Sequence, residues 1–331
     1  MFNYLYMGKK YKVNLSYYTY SVLMNDIDAF RFYKNDGSLN KNAFINQLVF
    51  NYHEMVNEDI DNFLNQTTDI LEKYGLKTNA INEILEGVIR INKKIEDKGK
   101  KDYELTFIST SEYESAFLDI EDNYLKDYNF SEYLRKLFDS YARLNQDERE
   151  RIIFKKEILL IEKAIKENKK ILFKQDLGNE IAIPLGVYNS KDRQFAYLLT
   201  YKNNRFMPYN LYKLKNLRIS REKSENIEIT QKELNKYLDS DVQFINSPII
   251  DCLIELTPKG EKLYRKIFIN RPKYISKEGS VYRFKCSINQ LFFYFQRFGK
   301  AAVCLNNNRL NNMLYSFYKD GYYAIKNMPR D

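Results

Sequence analysis

The sequence of 331 residues has no tryptophan, one histidine (His53) and three cysteines (Cys252, Cys286 and Cys304). Three cysteines, far apart and odd in number, do not indicate a disulfide framework or a zinc knuckle. A single histidine leaves a zinc site without its usual ligands, and a Ser-His-Asp triad or a Cys-His pair would have to use His53. We therefore expect no metal and no catalytic residues.

The two common phosphate-binding loops, G-x-x-x-x-G-K-S/T and G-x-G-x-x-G, are also missing from the sequence. Without them, and without a nucleophile-base pair, we expect no cofactor and no enzyme. No run of residues approaches the ~18 consecutive apolar ones that a membrane span needs. The N-terminus, MFNYLYMGKK, lacks the basic-then-apolar order of a signal peptide. We expect the protein to be cytoplasmic.

Positive charge and aromatic rings are abundant instead. The formal net charge is +9, and the chain has 29 tyrosines and 22 phenylalanines. Residues 57–150 are acidic, whereas residues 151–331 carry the basic excess. Such a composition suits single-stranded nucleic acid, because Lys and Arg follow phosphates while rings stack on bases. An AT-rich genome would also enrich Lys, Asn, Ile and Tyr without functional meaning, and this alternative stays open.

Residues 169–220 contain four short runs with β character, separated by polar turns. These runs are Lys170–Lys174, Glu180–Pro184, Gln194–Tyr201 and Asn216–Ser220. Short strands spaced so closely predict a small, strongly bent sheet or barrel. The third run is apolar on both of its faces, which predicts a central strand.

Ala196-Tyr197-Leu198 follows the segment IPLG at 183–186 and precedes NLYKL at 210–214, and the helix-like segment ILLIEKAIKEN lies ahead of both. In this order, residues 151–222 resemble the WYL domain, with Ala196 in the place of the tryptophan. The resemblance implies an SH3-like or Sm-like β-barrel that binds a ligand or nucleic acid and regulates another activity. Asn210 and Lys213 stand where the family usually has two arginines, and Arg193 and Arg205 are nearby in sequence.

Residues 10–56 have the pattern of one strand followed by two helices. Residues 10–16 alternate between polar and apolar, and Ser38 is the predicted N-cap of a helix from Leu39 to about Val56. Because the strand has no partner in its own unit, pairing with a second copy would satisfy its backbone. The unit resembles a ribbon-helix-helix module, which implies a dimer whose ribbon enters the major groove of DNA.

Under that resemblance, Lys12, Asn14 and Ser16 point away from the core toward the DNA, with Asn14 as the base reader. The N-terminus of the second helix, at Ser38 and Asn40, presents free N–H groups to a phosphate. The alternative is that the unit only dimerises.

Residues 57–150 are predicted as a mainly helical linker. Its helices are expected near Glu58–Tyr74, Asn79–Lys98, residues 110–122 and Ser131–Leu144, and another at Asp147–Asn168 leads into the barrel. Residues 103–108 (YELTFI) are either a strand or an extended linker. The acidic residues at 112–127 are interpreted as a solvated helix face, or as a face that docks against a basic neighbour.

Residues 223–331 are predicted as a small α/β domain, after a short helix near Thr230–Leu238. Strands are expected at Val242–Ile245, Ile249–Leu256, Ile267–Ile269 and Val281–Ser287, and helices at Pro258–Arg265 and from about Asn289. A helix that ends at Gly299, a strand and a last helix resemble the C-terminal extension of many WYL domains, which implies dimerisation. Phe292, Phe293 and Phe295 are expected in core and dimer contacts.

The predicted fold is therefore α+β, with a ribbon-helix-helix unit (1–56), a helical linker (57–150), a WYL barrel (151–222) and its dimerising extension (223–331). This combination resembles the WYL-domain accessory proteins of type VI-D CRISPR systems. It implies a homodimer that binds single-stranded RNA and raises the activity of the RNA-guided RNA nuclease. The candidate RNA contacts in the barrel are Lys169, Lys170, Lys174, Arg193, Tyr197, Tyr201, Arg205 and Lys213.

Two alternatives belong to other functional classes. A dimeric transcriptional regulator would read duplex DNA with the ribbon and sense a ligand with the barrel. A protein-only adaptor would have no affinity for nucleic acid at physiological salt.

Overall fold

The computed structural model describes residues 8–81, 83–85, 102–124, 129–175, 178–225, 234–235, 238 and 241–328. The chain is a mixed α+β protein with several antiparallel sheets, and it divides into two compact units, Met1–Lys155 and Lys156–Asp331. None of the helices in the described ranges is long and apolar enough to cross a membrane.

The first unit combines a two-stranded sheet with helices. Its strands are β1 (Lys10–Leu15) and β2 (Tyr103–Ile108). Its helices are α1 (Tyr17–Ala29), α2 (Lys41–Lys73), α3 (Glu114–Asp119), α4 (Phe130–Ala142) and α5 (Gln146–Ile153). The 3₁₀ turn Ser111–Tyr113 precedes α3, and the π-helical turn Ile120–Tyr124 follows it.

Strand β1 has a partner within its own chain, so the predicted pairing of this strand with a second copy is wrong. It runs antiparallel to β2, with Val13 opposite Leu105 and Lys12 opposite Thr106. The predicted alternation along β1 is confirmed, because Tyr11, Val13 and Leu15 are buried. The partner strand lies about ninety residues further along the chain, where a local pattern does not show the pairing. The ribbon thus contains one copy of β1 and one of β2.

Helix α2 is longer than predicted and begins differently. The expected break near residue 57 is absent, and the helix runs unbroken to Lys73, followed by Gly75 at a φ of +77°. Its N-cap is Asn40, whose side chain accepts a hydrogen bond from the N–H of Ala43. The predicted cap, Ser38, instead donates from its N–H and its hydroxyl to Asp36.

Polar side chains of α2 fasten the other elements of the first unit to it. Asn42 bonds both the N–H and the carbonyl of Ile108, and Asn46 accepts from the N–H of Thr110, so the end of β2 is fixed. Asn51 donates to the carbonyls of Ile152 and Ile153 at the end of α5.

The single predicted helix at Asp147–Asn168 is two helices, with a turn at Phe154 between them.

The second unit begins with α6 (Lys155–Lys166) and a five-stranded antiparallel sheet in the order β6-β5-β4-β3-β7. The strands are β3 (Lys169–Gln175), β4 (Gly178–Asn189), β5 (Ala196–Lys202), β6 (Arg205–Asn210) and β7 (Lys215–Lys223). Four of them correspond to the four predicted runs. Strand β5 is buried on both faces, as its pattern predicted.

Strand β6 was not predicted, although a turn signal precedes it. Asn203 and Asn204 both have positive φ, at 51° and 60°, as a two-residue hairpin turn requires.

The predicted closed barrel is also wrong in the described residues. Each of the edge strands β6 and β7 pairs with one neighbour, and they do not pair with each other.

The rest of the second unit consists of β8 (Ile249–Leu256), α7 (Pro258–Lys266), β9 (Tyr274–Glu278), β10 (Val281–Ser287), α8 (Ile288–Phe295), β11 (Ala302–Cys304) and α9 (Asn308–Lys326). The sheet order β11-β8-β10-β9 and the βαββαβ succession make this a ferredoxin-like arrangement with one added helix.

The closing helix, strand and helix of this arrangement are confirmed, but the strands expected at Val242–Ile245 and Ile267–Ile269 are wrong. Val242–Phe244 form a 3₁₀ turn, and Ile267–Ile269 lie in the loop between α7 and β9. Phe295 is in the core as predicted, Phe292 packs against that core, and Phe293 is exposed. Most of the helices predicted at Asn79–Lys98 and Thr230–Leu238 lies outside the described residues.

Candidate nucleic-acid interface

The three lysines predicted as RNA contacts on β3 differ in their surroundings. Lys169 pairs with Glu167 at 2.7 Å, and Lys170 pairs with Glu222 and Glu225 at 3.4 and 3.0 Å. The hydrogen bond to Glu225 raises the pKa of Lys170. Ion pairs on a surface are worth about 0–1 kcal/mol, so a phosphate can displace these carboxylates. Lys174 is exposed and makes no ion pair with the described residues.

Strand β7 carries basic residues that sequence reasoning missed. Lys215 lies directly opposite Lys174, and Lys223 lies opposite Lys169. Like charges directly opposite each other destabilise an antiparallel pair unless an anion compensates them. We name these residues and their neighbours the β7 basic edge; it consists of Lys174, Lys215, Arg218, Arg221 and Lys223. All five side chains are exposed, and none forms an ion pair within the described ranges.

Arg193 and Lys213 belong to segments that lie at the same end of the sheet. Arg193 lies in the β4–β5 turn with a φ of +59°, and the hydroxyl of Ser190 accepts hydrogen bonds from two backbone N–H groups of this turn. Lys213 follows β6, whose last residue pairs with Tyr197 at that end. The rings of Phe195 and Tyr212, 5.6 Å apart, join the two segments. Arg193 is exposed in a hydrogen-bonded turn, and this turn is joined to the segment that carries Lys213.

The turn at Arg193 is also fastened to the residues that follow the five-stranded sheet. The N–H of Lys191 donates to Asp241 at 3.2 Å. Burial raises the pKa of this carboxyl, and the hydrogen bond from Lys191 opposes the rise.

The two predicted stacking tyrosines are not free platforms. Tyr197 is 8% exposed, packs in a core cluster and donates from its hydroxyl to Gln243 at 3.3 Å. Burial raises its pKa strongly. Tyr201 is half-buried, and its ring packs edge-on against Phe206. These rings stabilise the sheet, and a base has little ring surface to stack on.

Arg205 lies apart from the Arg193 end. It is opposite Lys202 in the β5–β6 hairpin, and Lys202 is paired with Glu180. The eight residues predicted for one groove are therefore distributed over three places, namely β3, the Arg193 end and the β5–β6 hairpin.

The N-terminal ribbon presents a mixed face. Lys12 and Asn14 are exposed, as predicted, but Lys12 is paired with Glu104. Glu104 of β2 lies opposite Asn14 of β1, so a carboxylate lies on the surface that was predicted to contact DNA. Ser16 is buried and caps α1 by accepting a hydrogen bond from the N–H of Thr19. Ser16 is thus not available as a base reader.

His53 is buried in the first unit, between Tyr133 and Asp119. Its Nδ1 lies 2.6 Å from the hydroxyl of Tyr133, and its Nε2 lies 2.7 Å from a carboxylate oxygen of Asp119. Glu121, in the same acidic segment, pairs with Lys9. Asp119 and Glu121 thus dock against basic neighbours, whereas Glu112 and Asp122 are exposed, so each of the two alternatives that the sequence indicated holds for part of the segment. Among the described residues, no three His, Cys, Asp or Glu side chains are grouped to hold a metal ion.

The sequence matches no protein-family model and no curated protein sequence. The structure is similar to a crystal structure described as a CRISPR Cas-related protein, with a TM-score of 0.70 and 20% identity over 98% of this chain and 96% of that chain. It also aligns with proteasome accessory factor B/C (PafBC) of Arthrobacter aurescens, at a TM-score of 0.24 and 12% identity over 96% of this chain and 50% of that chain. The first likeness shows a shared fold, and the second is too weak to carry an argument.

Proposed function

We propose that this protein is a non-enzymatic regulatory accessory protein of a type VI-D CRISPR system. It binds single-stranded RNA in the cytoplasm and enhances the RNA-guided RNA nuclease, which is its protein partner. The observation that carries the proposal is the fold shared over nearly the whole chain with a CRISPR Cas-related protein. The resemblance of residues 151–222 to the WYL domain, a domain of regulators, agrees with it.

The charges of the second unit support RNA as the ligand. The β7 basic edge places Lys174 against Lys215 without a carboxylate between them, so a polyanion would relieve their repulsion. Arg193 and Lys213 add positive charge at the end of the same sheet. Lysine on an edge strand also prevents pairing with other sheets, and the binding experiment below separates that role from RNA contact.

A homodimer is part of the proposal. Helix α9 has one buried residue, Leu310, and it exposes Tyr315, Tyr322 and Ile325. These three share one helical face at spacings of seven and three residues. A second copy of the chain would bury this face, in agreement with the dimerising role that the resemblance implies for residues 223–331.

The alternative is a transcriptional regulator that reads duplex DNA with its ribbon. The exposed pair Lys12 and Asn14 favours it. Glu104 on the same ribbon and the capping role of Ser16 leave this alternative with fewer available contacts.

The test is the affinity of the purified protein for an unstructured RNA and for a duplex DNA of matched length, from about 50 to 300 mM salt. We expect a preference for RNA that survives the higher salt. Lys215→Ala with Arg218→Ala should weaken RNA binding and lower the salt dependence, whereas Lys12→Ala should have little effect. A preference for duplex DNA that Lys12→Ala abolishes would instead establish the regulator. Loss of all binding at physiological salt would indicate the protein-only adaptor.

A further inference from the structure

A cleft of about 370 Å³ opens at the loop between α7 and β9, outside every residue predicted as a contact. It is lined by Tyr264, Arg271, Pro272, Lys273 and Tyr274. Its volume lies at the lower end of the range of about 300–1,000 Å³ that ligand pockets occupy. The lining combines two aromatic rings with two cationic side chains.

Local hydrogen bonds hold this loop in place. Tyr264 is buried and donates from its hydroxyl to the carbonyl of Pro272 at 2.6 Å. Asn270, with a φ of +59°, accepts from the side chain of Gln243 at 2.7 Å. The N–H of Arg271 closes a turn on the carbonyl of Phe268. The shape of the cleft is therefore set before a ligand binds, which lowers the entropic cost of binding.

The rings and cations of the loop are open to solvent. Phe268 is 66% exposed and Tyr274 is 47% exposed. The guanidinium of Arg271 lies 4.5 Å from the centre of the Phe268 ring and 5.7 Å from that of Tyr264. Exposed aromatic rings are stacking surfaces for unpaired bases, and so are planar guanidinium groups.

The loop and its flanks carry an excess of positive charge. Residues 262–277 contain six lysines and arginines and no Asp or Glu, and Glu261, just before this range, pairs with Lys277 at 2.8 Å and with Arg265 at 3.8 Å. Lys273 is exposed and makes no ion pair with the described residues. A ligand here would meet the cations Arg271 and Lys273 beside the exposed ring of Tyr274, the combination that binds a nucleotide of a single strand.

We infer that this cleft holds one base of single-stranded RNA, stacked against Tyr274 and Arg271, with Lys273 on an adjacent phosphate. The inference rests on the proposed RNA binding and adds a place for a base to it. The hydroxyl of Tyr197 donates to Gln243, which in turn donates to Asn270, so hydrogen bonds connect the loop with the sheet that carries Arg193. An RNA strand bound at the Arg193 end thus has a base site within the same unit.

The experiment measures binding of an oligouridylate of about 12 nucleotides and of inorganic polyphosphate to the full-length protein. Tyr274→Leu should weaken RNA binding about 5- to 100-fold, because it removes a stacking ring. The same change should leave polyphosphate binding unaltered, and Tyr274→Phe should bind RNA like the wild type. Lys273→Ala should weaken both ligands, whereas Lys300→Ala, an exposed lysine outside the loop, should weaken neither. RNA containing 5-iodouridine should cross-link to Tyr274, a readout that needs no variant.

The outcomes separate the inference from the proposed function. If the wild type binds RNA while Tyr274→Leu and Arg271→Ala bind it equally well and no cross-link maps to residues 264–274, the inference is wrong and RNA binding stands. If the wild type binds neither RNA nor polyphosphate, both fail. If Tyr274→Leu weakens RNA and polyphosphate alike, the site recognises phosphate alone and the base site is refuted.

Discussion

Gly260 lies in the first turn of α7, where the helix backbone approaches the carbonyl oxygen of Ala301. A Cβ at this position would overlap with that oxygen, which belongs to backbone and cannot rotate away. We expect Gly260→Ala to lower the free energy of unfolding by about 1–3 kcal/mol, as overpacking does. The matched control is Gly321→Ala in α9, where a Cβ meets open space. It should stabilise by about 0.5–1 kcal/mol, and urea unfolding that shows equal effects would contradict this account.

Asp119 links an acidic segment to the buried His53, and its ionisation makes the link depend on pH. The hydrogen bond from His53, and then that from Asn123, lowers the pKa of this carboxyl below its usual 3.8. A carboxyl with a lowered pKa contributes stability above its unfolded value and loses it as the pH falls through the folded value.

Asp119→Asn should therefore destabilise at pH 7, by less than about 1 kcal/mol for this partly exposed group. The difference from the wild type should shrink as the pH falls below 3.8. Urea unfolding across that range measures it, with Asp122→Asn as the control. A difference that grows toward acid would show that the carboxylate does not stabilise the fold.

Individual side chains also show where sequence reasoning stops. Ser16 and Ser38 each precede a helix, and serine at either position is a good N-cap by residue type. Ser16 became a cap because α1 starts at Tyr17, whereas the local turn bonded Ser38 to Asp36 and left Asn40 to cap α2. Tyr197 was a candidate for stacking because a tyrosine ring can pack in a hydrophobic core or stack on a base. In the structure it is buried in the cluster that contains Leu199.

At the scale of elements, periodicity predicted what is local and missed what is paired at a distance. The buried strand β5 and the closing helix, strand and helix follow from short patterns that packing reinforces. The pairing of β1 with β2 depends on a segment about ninety residues away. The sequence did not predict the basic residues of β7 as contacts, because their position opposite β3 is visible only in the sheet register.

Helix α9 exposes an apolar face formed by Tyr315, Tyr322 and Ile325. We expect the wild type to be a dimer, with twice the monomer mass of 39.8 kDa by light scattering. Tyr322→Glu with Ile325→Glu would place two charges on the apolar face and should produce monomers, because a buried unpaired charge is costly. Asp320→Asn, on the same helix, should leave the dimer intact. A wild type that is monomeric, or a double variant that stays dimeric, would contradict this assignment.

For the whole molecule, the division of charge along the sequence indicates the half of the chain in which we propose RNA binding, but it does not indicate which residues share a surface. The basic excess lies in residues 151–331, where the β7 basic edge and the α7–β9 cleft are. The candidate contacts are close together in sequence, but they lie at three separate places in the folded sheet. Only the strand order and the loop contacts show which cations share a surface.

We propose that this protein enhances an RNA-guided RNA nuclease through bound RNA. The most direct measurement is the rate at which a type VI-D nuclease with its guide cleaves a reporter RNA, with and without the protein. We predict that the wild type raises the rate, that Lys215→Ala with Arg218→Ala raises it less, and that Lys12→Ala acts like the wild type. An unchanged cleavage rate at saturating wild-type protein would contradict the account.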